Sequence, residues 1–107
     1  MANLESFSLP LSALLIGASR GIGLGLVRHL IEDPKVALLF AACRHPASAP
    51  ELSRLADANV QRLRVVSMDV TDEPSVAEAA AEIANEAPRL DLLINCAGVL
   101  HDNGARF

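Results

Sequence analysis

Apolar runs and amphipathic stretches alternate along this chain. Leu11 to Ile16 is a short apolar run ending at a glycine, the pattern of a buried strand. Helical periodicity starts directly after it. Ile22, Leu26, Val27, Leu30 and Ile31 share one helical face between Gly21 and Ile31, and Asp33-Pro34 ends the pattern. Val36 to Cys43 is apolar throughout and predicts a second strand, which Arg44-His45-Pro46 breaks into a Pro-, Ser- and Ala-rich loop reaching Pro50. A weak helix from Glu51 to Ala58 follows. Val60 to Met68 predicts a third strand, and the interruptions at Gln61, Arg62 and Arg64 suit a sheet edge. Thr71 or Asp72 can cap the next helix, Pro74 is tolerated in its first turn, and Val76, Ala80, Ile83 and Ala87 repeat at helical spacing. Leu90 to Cys96 predicts a fourth strand that ends in the small-residue turn Ala97-Gly98.

Four strands joined by helical crossovers imply a parallel, right-handed arrangement, because parallel neighbours need a helix-sized connection. The expected fold is α/β, the N-terminal half of a Rossmann-type doubly wound parallel sheet. Residues 1–10 read as a flexible lead-in, and residues 11–107 as a partial dinucleotide-binding domain. With strand order 3-2-1-4, the first and fourth strands lie side by side at the topological switch point, where such sheets bind nucleotides. Cys43 and Cys96 then end strands two steps apart, roughly 9 to 10 Å, too far for a disulfide.

Composition narrows the function class. The chain has 107 residues and a formal net charge of -4, the size of one domain with little attraction for nucleic acid or acidic membrane. Hydrophobic residues make up 51% but aromatics only 3%, so the core must be built from Ala, Leu, Val and Ile, as in parallel α/β interiors. No apolar run approaches the roughly 18 residues of a membrane-spanning helix, and Met1 to Glu5 lacks the basic start of a signal peptide. A cytoplasmic location is expected. The two cysteines form no CxxC motif or metal-ligand cluster and read as small buried side chains.

The chemistry gathers at predicted strand ends. Gly17-Ala18-Ser19-Arg20-Gly21-Ile22-Gly23 sets three glycines between a strand and a helix, where bare backbone can approach a pyrophosphate and helix N–H groups can receive it. The alternative for these glycines is a tight turn with close helix packing. Gly25 reads as the position that lets the helix sit against the sheet, and His29 as a solvated helix residue. After the second strand an acidic residue would bond the ribose 2'-hydroxyl of NAD, whereas arginine pairs with the 2'-phosphate of NADP. This chain carries Arg44 there, with Arg20 in the glycine loop as a second cation.

In their order, these segments resemble the nucleotide-binding half of the short-chain dehydrogenase/reductase family, from Leu11 to Gly98. The GxxxGxG spacing is that family's, as against the GxGxxG of medium-chain enzymes. Arg28-His29-Leu30 and the Cys43-Arg44 strand ending resemble, more narrowly, the C-factor or sniffer-type carbonyl reductases. Ile16 replaces the Thr usual before the first glycine, and Cys96 the usual second Asn of an NNAG segment. The resemblance implies that Gly17, Ser19, Arg20, Gly21, Ile22, Gly23 and Arg44 hold the phosphates of NADP(H), in preference to NAD(H). It further implies that Asp69 and Val70 hold the adenine, that Asn95 ties the central strands, and that Ala97 and Gly98 let the cofactor lie over the sheet.

Family chemistry moves a hydride between NADP(H) and a small carbonyl or alcohol substrate. It uses a Ser, a Tyr and a Lys four residues after the Tyr, with an Asn on the helix after the fourth strand. This chain has no Tyr, and its single Lys, Lys35, precedes the second strand. Ser67, Ser75 and the three histidines make no triad spacing, although His101 follows the nicotinamide-side turn. The expectation is the NADP-binding portion of an oxidoreductase, with no catalytic residue of its own and no activity alone. Homo-oligomers are expected only with the C-terminal half present. The alternative is a non-catalytic nucleotide-binding or regulatory protein.

Overall fold

In the computed structural model, residues 10–97 are described. The elements run β1 (Leu11–Ile16), α1 (Gly21–Ile31), β2 (Val36–Cys43), α2 (Pro50–Ala58), β3 (Leu63–Ser67), α3 (Glu73–Glu86) and β4 (Leu92–Asn95). The strands form one sheet in the order β3-β2-β1-β4, and every pairing is parallel. This is the predicted half of a doubly wound Rossmann-type sheet. The expected lead-in falls, except for Pro10, outside the described residues.

The uninterrupted apolar run of β2 follows from a sheet covered on both sides. Leu39, Ala41 and Cys43 point into one core with Leu24, Val27, Leu30 and Ile31 of α1 and Leu52 of α2. Phe40 and Ala42 point the other way, onto Ala79 and Ile83 of α3. Alanines at Ala13, Ala41 and Ala42 are fully covered, so the helices lie close on the sheet.

Local departures from the sequence pattern have identifiable causes. Ile22 does not join the core face of α1: it is 69% exposed, and Leu24 takes the buried place. Gly25 is exposed with nothing within 4 Å of where a Cβ would stand, so it does not seat the helix, whereas Gly23 does. On α3, Ala79 is buried and Ala80 exposed. Cys43 is buried as expected, but Cys96 is only half-buried, and both are free thiols.

The third strand starts three residues late for a specific reason. Arg62 precedes it and turns inward, donating Nη1 to the Ile31 carbonyl at 2.7 Å and Nη2 to those of Asp33 and Val36, both at 2.8 Å. Its Nε also reaches the Val36 carbonyl, at 3.1 Å. One guanidinium thereby satisfies carbonyls at the end of α1 and the start of β2, which its planar fork of donors suits.

Candidate functional site

The carboxyl ends of the strands open on a cleft of about 1000 Å³. The loop from β1 to α1 forms one wall. The N–H groups of Gly17 and Ala18 both donate to the Ala42 carbonyl, at 2.9 and 3.0 Å, which straps the loop to β2. The loop glycines have different physical reasons. Gly17 has φ +88°, and a Cβ there would stand 2.7 Å from the Ala97 nitrogen, so the loop and the turn after β4 touch. Gly21 has φ +61° with nothing within 4 Å of a Cβ position, so its backbone faces open space. At Gly23 a Cβ would fall 1.8 Å from the Gly17 carbonyl oxygen, so the first turn of α1 is seated directly on the loop.

The resulting helix end is electropositive. Arg20 is the N-cap, extended and without a side-chain capping bond, and the first turn holds no acidic residue. Backbone bonding of α1 begins with the Leu24 N–H donating to the Arg20 carbonyl at 3.2 Å. The N–H groups ahead of it have no intrahelical partner and sum with the helix dipole into an anion receptor.

Arg44, His45 and Asp69 to Thr71 form the facing wall. Strand register explains their meeting: Cys43 pairs with Ser67, and the Met68 N–H donates to the Cys43 carbonyl at 2.9 Å. The Arg44 Nε lies 3.7 Å from Asp69 Oδ2. Asp69 Oδ1 accepts from the Thr71 hydroxyl at 2.7 Å and the Thr71 N–H at 3.0 Å. The Asp69 N–H donates to Ser75 Oγ at 2.9 Å. The two bonds from Thr71, its hydroxyl first, hold the Asp69 carboxyl below the usual range, with smaller help from the charges of Arg44 and His45. Asp72, not Thr71, caps α3, accepting from the Ser75 N–H at 3.2 Å.

Ten of the twelve sequence-derived site residues line this cleft: Gly17, Ser19, Arg20, Gly21, Ile22, Gly23, Arg44, Asp69, Val70 and Ala97. Asn95 stands outside the lining, its Oδ1 accepting the Ala97 N–H at 2.9 Å, so its side chain shapes the turn after β4. Strand contact at that level is by backbone, the Cys96 N–H donating to the Ile16 carbonyl at 2.8 Å. Gly98 and His101 lie outside the described residues. Sequence reasoning missed Thr71, whose spacing two residues after an Asp is an Asx-turn signal, and His45 and Cys43 in the lining. Burial pushes the Cys43 thiol up, which keeps it protonated and inert at neutral pH.

Among the described residues no cluster of three or more His, Cys, Asp or Glu could hold a metal, and no helix is long and apolar enough to cross a membrane. Residues 12–106 match the family model for short chain dehydrogenases. The fold superposes on the NADPH-bound carbonyl reductase of chicken fatty liver with a TM-score of 0.80 at 40% identity, covering 91% of this chain and 38% of that one. The carbonyl reductase Sniffer of D. melanogaster gives 0.77 at 28% identity, over 92% of this chain and 40% of that one. The (-)-isopiperitenone reductase of Mentha piperita is 36% identical over 89 residues, 81% of this chain and 28% of its own. The chain thus spans roughly a third of the length of the relatives it matches, between 28% and 40% for these three.

Proposed function

Because this chain belongs to the short-chain dehydrogenase family, matched over residues 12–106, we propose that its cleft holds the adenosine and phosphate half of NADP(H). Arg44 carries this reading. It stands exposed just past β2, where an acidic side chain would select the ribose 2'-hydroxyl of NAD, and a guanidinium there favours a 2'-phosphate. The unfilled N–H groups of α1 and the backbone left open at Gly21 fit a pyrophosphate, and Gly23 supports that cradle by letting the first turn of α1 sit on the loop. When bound, NADPH would give a hydride to a small carbonyl substrate, and NADP+ would take one from the corresponding alcohol. The chain contains no Tyr to donate the proton, so alone it binds without turnover.

Amide shifts of the nitrogen-15-labelled chain, followed during titration with NADP+ and with NAD+, test the assignment. Both should perturb the loop from Gly17 to Gly23, with NADP+ binding about tenfold tighter, as expected for a charge-assisted phosphate contact. Arg44→Ala should remove most of the difference, Arg20 keeping the remainder. Equal affinities in the native chain would refute the NADP preference, and an unperturbed glycine loop would refute the site.

A further inference from the structure

The pairing of Arg44 with Asp69 links two residues that the cofactor reading treats separately. Arg44 reaches the carboxylate through Nε, the inner nitrogen of the guanidinium, at 3.7 Å. Its side chain is 66% exposed against 30% for Asp69, so the carboxylate is the more covered member of the pair and the arginine the more open one. Among the described residues neither terminal amino group of Arg44 has a hydrogen-bond partner. Asp69 is itself fixed at several points. Oδ1 is occupied by Thr71, the N–H bonds Ser75 Oγ, and the carbonyl accepts the Asp72 N–H at 3.0 Å. Only Oδ2 is left outside this turn, and it is the oxygen facing Arg44.

We propose that Asp69 is a positioning residue for cofactor choice: it holds Arg44 by Nε so that both terminal amino groups meet the 2'-phosphate of NADP. This rests on the NADP reading above and deepens it. A free arginine is a mobile side chain that loses rotamer freedom whenever it binds a phosphate. A brace at Nε removes part of that loss beforehand, and it leaves available the bidentate edge that phosphate recognition uses. Adenine is common to NAD and NADP, so a contact to adenine alone changes both affinities equally. Bracing Arg44 changes only the one that carries the 2'-phosphate.

The test is a double-mutant cycle on the full 107-residue chain, with NADP+ and NAD+ affinities read from amide shift titrations. Asp69→Asn keeps the acceptor for Thr71 and removes the charge that holds Arg44. The ratio of NADP+ to NAD+ affinity should fall about two- to fivefold, the range of an exposed ion pair. In the Arg44→Ala background the same substitution should leave the ratio unchanged. An equal fall for both cofactors, an unchanged ratio, a ratio that rises because Asp69 repels the phosphate, or an effect that persists without Arg44 each overturns the proposal. Asp69→Glu, which retains the charge, should recover part of the ratio, and a ratio as low as that of Asp69→Asn also counts against it. Failure of the underlying reading looks different: the native chain then shows no preference for NADP+ before any substitution is made.

Discussion

Two glycines in the same helix should respond to alanine with opposite signs. At Gly23 the added Cβ would stand 1.8 Å from the Gly17 oxygen, 2.8 Å from its carbonyl carbon and 3.3 Å from the Ala18 Cα. All three are backbone atoms of a loop strapped to β2, so no side chain can rotate away. Forcing a methyl into such a place costs about 3 kcal/mol, from which the better helix propensity of alanine recovers about 1 kcal/mol, leaving a net loss of about 2 kcal/mol. At Gly25 nothing lies within 4 Å, and only the propensity gain of about 1 kcal/mol remains. For a domain of this size each kcal/mol moves Tm by about 4–8 °C, so Gly23→Ala should lower it by about 8–16 °C and Gly25→Ala raise it by about 4–8 °C. With no Trp or Tyr in the chain, the helical circular dichroism signal is the suitable probe. A Gly23→Ala chain as stable as the native one, or a Gly25→Ala chain less stable, would refute the assignment of close packing to the first site and open space to the second.

Replacing Arg62 by Met should cost about 2 kcal/mol in urea denaturation, because carbonyls at the end of α1 and the start of β2 lose a charged donor. An unchanged midpoint would mean that water replaces the guanidinium fully. For Asp69 the sign follows from its carboxyl being held below the unfolded value of about 3.9. Its contribution is therefore complete above that pH and disappears as pH falls through the lower folded value. Asp69→Asn should then lose less stability than the native chain between neutral pH and acid. Parallel acid profiles would remove Asp69 from the stabilising set.

Strands and topology were legible because a sheet covered on both faces writes unbroken apolar runs, and small residues mark the turns between them. The errors cluster where a residue serves the cleft or a backbone carbonyl instead of the core. Ile22 fits the apolar period of α1, yet it lies in the turn that Gly23 seats on the loop, and at 69% exposure it lines the cleft mouth. Hydrophobicity alone does not distinguish a core wall from a ligand wall. Arg62 looked like a polar interruption of a strand, because a guanidinium folded onto carbonyls 26 to 31 residues earlier has no sequence signature. The Arg44 to Asp69 pair belongs to the same class. Strand order made β2 and β3 neighbours, but their register, Cys43 against Ser67, is what brings the two residues together.

Local placement of charge explains how an acidic chain can present a site suited to anions. The net charge is -4, which at long range disfavours a cofactor carrying several phosphates. Charge at the cleft is arranged differently. Glu51 in the lining is turned to Arg28, 3.4 Å away, and Asp69 is engaged by Thr71 and Arg44. Arg20 enters no ion pair among the described residues and sits at the end of α1 where the helix dipole is positive. Over the distance of a phosphate contact these nearby cations and N–H groups outweigh remote carboxylates, which water and salt screen within about 8–10 Å. On the proposed reading, selectivity for phosphate is therefore a property of a few placed groups rather than of net charge. NADP+ affinity, titrated at rising salt, should therefore weaken only slightly, and a steep fall would mean that long-range charge rather than these placed groups holds the cofactor.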